Sequence, residues 1–121
     1  MERLKKIITT LKKKSFVESI LQFGSSLERK DYRDIDLCIM TTKKVSFKQK
    51  LALQRDIPEK YDISFYDDLP LNLKKEVLSK GKILFTKNYY HVLRQLQYVD
   101  LEYPRFHAFL KAYHHAQMAS I

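Results

Sequence analysis

Leu4, Ile7, Ile8 and Leu11 recur three and four residues apart among lysines, which predicts an amphipathic helix over about residues 2–14 with a basic outer face. The run Phe16 to Phe23 is rich in strand formers and stops at Gly24, so it reads as a strand feeding a turn. Gly24-Ser25-Ser26 then opens a short helical turn, with hydroxyls where a cap sits. From Asp34 to Met40 the chain alternates: Ile35, Leu37 and Ile39 share one register and are expected against helices, while Asp34, Asp36 and Cys38 share the other.

Phe47, Leu51 and Ala52 or Leu53 predict a helix over about residues 46–56, ahead of Pro58. A second alternation at Tyr61 to Tyr66 sets Ile63 and Phe65 against Asp62 and Ser64. Leu69, Leu73 and Val77 predict a helix after Pro70 that Gly81 ends, with Asp67 and Asp68 as its capping carboxylates. Ile83 to Phe85 is a short apolar strand, and the chain from Tyr89 onward is helical, with a break or kink expected at Pro104. This order implies an α+β, α/β-like domain: a small mixed β-sheet with helices packed on one face, and C-terminal helices. The expected division is a body over residues 1–88 and a helical extension over 89–121. The extension's aromatic stripe, Tyr98, Tyr103, Phe106, Phe109 and Tyr113, fits either packing on the body or docking a partner.

With 121 residues, 45% hydrophobic and 31% charged, the chain has room for one domain and lies outside the composition of disordered proteins. A formal charge of +9 brings phosphate-bearing ligands forward, but the basic residues are scattered, so direct nucleic-acid binding is not the expected use. The single Cys38, a lysine-rich beginning and the lack of any stretch near about 20 apolar residues predict a cytoplasmic protein with no membrane partner. His91, His107, His114 and His115 match no metal-ligand spacing.

Chemistry is carried by three pieces that are individually common: Gly24-Ser25 after a strand, Asp34-x-Asp36 on the next, and Asp62 on a later one. Side chains two apart on a strand point the same way, and two carboxylates so placed repel unless a cation lies between them. Mg²⁺ prefers oxygen ligands, commonly one or two carboxylates plus substrate phosphates. A third carboxylate on an adjacent strand suits a second ion and an attacking hydroxyl. Glycine lets backbone approach a phosphate, to which Ser25 and the amides of a helix start donate.

At these residues the chain resembles the minimal nucleotidyltransferases of the DNA polymerase β-type nucleotidyltransferase superfamily, over roughly residues 7–86. The resemblance implies the nucleotidyltransferase fold, with Asp34, Asp36 and Asp62 as catalytic ligands of two Mg²⁺ ions and ATP as substrate. It further implies nucleotide binding by Gly24, Ser25 and Ser26. Minimal members continue from Gly-Ser into Arg-x-Arg-Gly, whereas this chain reads Ser26-Leu27-Glu28-Arg29-Lys30, leaving Arg29, Lys30 or Arg33 as candidate triphosphate contacts. Relatives of this kind pair with a small helical HEPN toxin, and some silence it by attaching AMP to a tyrosine. The implied role is therefore an antitoxin acting by AMPylation; the alternative is a catalytically weak module of the same fold that neutralises its partner by docking.

Overall fold

The structure, a computed structural model, describes residues 2–24 and 34–119. Helix α1 (Glu2–Lys12) leads into β1 (Val17–Phe23), followed by β2 (Ile35–Thr41), α2 (Phe47–Arg55), β3 (Tyr61–Phe65), a 3-10 turn (Tyr66–Asp68), α3 (Leu71–Lys80), β4 (Lys82–Thr86) and α4 (Tyr89–Ala119). The strands form one sheet in the order β3-β2-β1-β4. β1 runs antiparallel to both β2 and β4, and β2 pairs parallel with β3. The sheet is therefore mixed, as expected, and the parallel pair needs a crossover, which α2 supplies.

Strand alternation builds a core on each face. Ile20, Leu37, Ile39, Ile63 and Phe65 meet Ile7 and Leu11 of α1 and Leu53 of α2 on the first. On the second, Leu21, Cys38, Met40 and Tyr66 meet Val77 of α3 and Val92 of α4. Helices thus cover the second face as well as the one expected, because the central strands β1 and β2 carry apolar side chains in both registers along part of their length. Two polar links tie the margins together: the Ser19 and Thr86 hydroxyls pair at 2.8 Å between β1 and β4, and His91 at the start of α4 pairs with Glu18 of β1.

Three local expectations change. Asp67 and Asp68 do not cap α3, whose N-cap is Pro70 with no side-chain bond; Asp68 instead pairs with Lys50 at 2.7 Å. In α2, Ser46 and Gln49 form a capping box, yet of its apolar residues only Leu53 is buried, leaving Phe47 75% and Leu51 46% exposed. Of the break or kink expected at Pro104, a break does not occur: α4 runs through it for 31 residues, about 46 Å at 1.5 Å per residue.

Gly81 ends α3 with an extended backbone (φ −71°, ψ 159°) instead of a left-handed cap. Glycine is needed there for space: a Cβ would collide with the Val77 carbonyl oxygen and crowd that of Gln22, 3.1 Å away. Among the described residues no helix is long and apolar enough to cross a membrane.

Candidate active site

The parallel register sets Asp36 of β2 directly beside Asp62 of β3, and the antiparallel register sets Phe23 of β1 on its other side. Neighbouring strands lie about 4.8 Å apart, so the two carboxylates leave the same sheet face from adjacent positions. Further along that face Cys38, Leu21 and Met40 are sealed under α3 and α4, whereas Asp36 is half-buried and Asp62 exposed. Asp34, exposed, stands one residue before β2. The sequence pattern places all three carboxylates at one end of the β2–β3 pair, and the structure brings them there.

Gly24 follows Phe23 with a positive φ of 81°, a conformation in which glycine alone is free of strain. A Cβ at this position would lie 2.5 Å from Asp36 Oδ2. The bare backbone of the turn is thus pressed against the carboxylate of Asp36. Ser25, Ser26, Arg29 and Arg33 lie outside the described residues.

Electrostatics follows from this crowding. Burial, then the charges of Asp62 and of Asp34, push the Asp36 carboxyl above its ordinary range. Among the described residues no three carboxylate, imidazole or thiol groups are already gathered tightly enough to hold an ion. The donor set nevertheless fits Mg²⁺: hard oxygen ligands, each raising the cost of its neighbour's charge, which a divalent cation between them reverses. Cys38 shares the register of Asp36 but is fully buried, and burial together with Asp67 pushes its thiol up to about 12, so it stays protonated and packs as a small apolar group.

Asp34 and Asp62 open onto a cleft of about 210 Å³ whose other wall is Gln54, Ile57 and Pro58 at the end of α2. Sequence reasoning missed Gln54, Ile57 and Pro58 as parts of the site. No motif marks them, because the crossover between β2 and β3, and not their chemistry, carries them to the carboxylates.

The family sequence pattern described as Polymerase beta, Nucleotidyltransferase matches residues 5–90. The chain belongs to that nucleotidyltransferase family. It is 30% identical over 73 residues to a Methanocaldococcus jannaschii protein named "Putative protein adenylyltransferase MJ1547", a match covering 59% of this chain and 57% of that one. The chain thus spans little more than half the length of this curated relative. Its fold is also that of the crystal structure of a toxin-antitoxin with AMP-PNP, at a TM-score of 0.73 and 22% identity, covering 94% of this chain and 97% of the other. A Shewanella oneidensis complex of a tri-AMPylated HEPN toxin with its MNT antitoxin matches at a TM-score of 0.70 and 21% identity, covering 96% of each chain.

Proposed function

We propose that the protein is a Mg²⁺-dependent nucleotidyltransferase that moves AMP from ATP to a hydroxyl of a partner protein, acting as the antitoxin of a helical HEPN toxin in the cytoplasm. The observation that carries this reading is the register pairing of Asp36 with Asp62 beneath the positive-φ turn at Gly24. Asp34, Asp36 and Asp62 are the residues that would hold two Mg²⁺ ions, which when bound neutralise charge on the triphosphate. Gly24 brings the turn's backbone close to the nucleotide; Ser25, Ser26, Arg29 and Arg33 complete the triphosphate site in this reading. The acceptor oxygen attacks the α-phosphorus of ATP and a new P–O bond forms. The bond from that phosphorus to the oxygen bridging to the β-phosphate breaks, and pyrophosphate leaves with the electron pair. Asp62, at the open end of the pair, takes the hydroxyl proton.

The body over residues 1–88 performs the chemistry and the extension over 89–121 meets the partner. The likenesses to a protein named as an adenylyltransferase and to a complex with an AMPylated toxin support this choice of acceptor. Asp62→Ala is expected to retain ATP·Mg²⁺ binding within a few-fold while transfer of labelled AMP to the co-expressed partner falls by about 10²-fold or more. Transfer at the wild-type rate would remove Asp62 from this role. Neutralisation of the partner that persists fully in Asp62→Ala would favour docking alone.

A further inference from the structure

Beyond the carboxylate cleft, two further recesses adjoin it along the free edge of the sheet. Among the described residues β3 is an edge strand, with one side of its backbone facing no neighbour in the sheet. The carboxylate cleft shares Gln54 with a groove of about 400 Å³ between α2 and β3. That groove in turn shares Lys50, Phe65 and Asp68 with a third recess of about 390 Å³, which ends at Lys44 and Thr41. The wall of the middle groove includes Phe47 and Leu51, the two α2 residues left exposed where helical periodicity expected burial. A linear trough beside an open strand suits an extended chain and not a compact ligand.

We propose that this trough is the acceptor-binding site, and that its occupant is an extended peptide segment that adds to the β3 edge and presents a hydroxyl residue to Asp62. The inference rests on the transferase reading above and supplies its substrate class. A peptide strand satisfies the open backbone edge of β3, whereas a nucleic acid needs a row of phosphate contacts, and of the trough's two lysines Lys50 is already paired with Asp68 and Lys44 stands at the far end. Alternation then defines a sequence rule. The face of β3 that carries Asp62 and Ser64 is opposite to the one that carries Ile63 and Phe65, where α2 lies. A hydroxyl residue beside Asp62 therefore places its neighbours one and three positions away toward Phe47 and Leu51, and those two positions away on the carboxylate side. The accepted segment has apolar residues at odd offsets from its hydroxyl residue.

The test uses nine-residue peptides of glutamine and asparagine with a central tyrosine and two leucines, placed at odd offsets in one and at even offsets in the other. The full chain with ATP and Mg²⁺ is titrated with each while the β3 amide resonances are followed, and AMP joined to the peptide is read by mass spectrometry. The odd-offset peptide is expected to shift Ser64 and Phe65 and to bind about tenfold more tightly than the even-offset one, an advantage that Phe47→Glu and Leu51→Glu abolish without changing ATP affinity. Equal binding of both peptides, insensitivity to both variants, displacement by a short RNA, or a self-association that the same variants abolish each overturns the proposal. AMP transfer without offset preference or β3 shifts sinks the trough and leaves the transferase reading intact. Offset-dependent binding with no AMP transferred has the reverse meaning.

Discussion

Asp36 is the carboxylate of the site most enclosed by strand and turn, and burial and its acidic neighbours raise the cost of its charge. An acid whose folded pKa lies above its unfolded value binds fewer protons unfolded than folded in the interval between the two. Stability therefore falls as pH rises from below the ordinary value of 3.8 through the raised value of Asp36. In metal-free protein at pH 7 the ionised Asp36 is thus unfavourable, by an amount reduced by the solvent that reaches it. Asp36→Asn keeps the shape and removes the charge, so it is expected to raise the metal-free Tm at pH 7 by a few degrees and leave it unchanged near pH 3, while abolishing Mg²⁺-dependent ATP binding. Thermal melts at both pH values and calorimetry with a non-hydrolysable ATP analogue check both parts. A lower Tm at pH 7 would contradict the crowding argument. Gly24 belongs to the same residue-level logic, since a side chain there meets both backbone strain and the Asp36 carboxylate.

At the scale of elements, a short helix is fixed by its cap and a long one by its length. α2 has nine residues and one buried side chain, so the Ser46–Gln49 capping box, and not a packed apolar face, fixes where it starts. α4 continues through Pro104, where the helix forgoes one backbone hydrogen bond and the proline ring crowds the carbonyl four residues earlier. The junction of α3 and β4 tolerates less. Gly81→Ala is expected to destabilise the domain by about 1–3 kcal/mol, since the colliding atoms are backbone carbonyls that cannot turn aside. Urea denaturation is the measurement, and an unchanged midpoint would show that the α3 terminus yields.

For the molecule as a whole, α4 is two things in one helix. Val92 and Val99 are buried, and Lys75 of α3 reaches Asp100 at 3.8 Å and lies 4.3 Å from the centre of the Tyr103 ring. Beyond Pro104, Phe109, Leu110 and Tyr113 are 64%, 45% and 55% exposed and lie outside the two cores formed by the described residues. Truncation after Pro104 is expected to leave a cooperatively folding domain with nearly the full Tm, and to abolish capture of a helical partner whose binding uses those side chains as anchors. Melting and a pull-down with the co-expressed partner are read together. An unfolded truncation would mean that the tail completes the core after all.

The sequence by itself determined the alternating strands, the helices between them and the three carboxylates, because side-chain period and spacing are properties of the local chain. Asp36 and Asp62 were legible as candidate site residues because each is a carboxylate set out of the apolar register of its strand, Ile35, Leu37 and Ile39 in β2 and Ile63 and Phe65 in β3. Only the tertiary structure decided that β2 and β3 pair in parallel with Asp36 beside Asp62, and that Gln54, Ile57 and Pro58 wall the carboxylate cleft. It also decided that Asp68 serves Lys50 in place of a helix start, and that Phe47 stays outside the core. These outcomes depend on which strand lies at the sheet edge and where the crossover returns. Contacts between residues distant in sequence settle both, and no periodicity within one element encodes them.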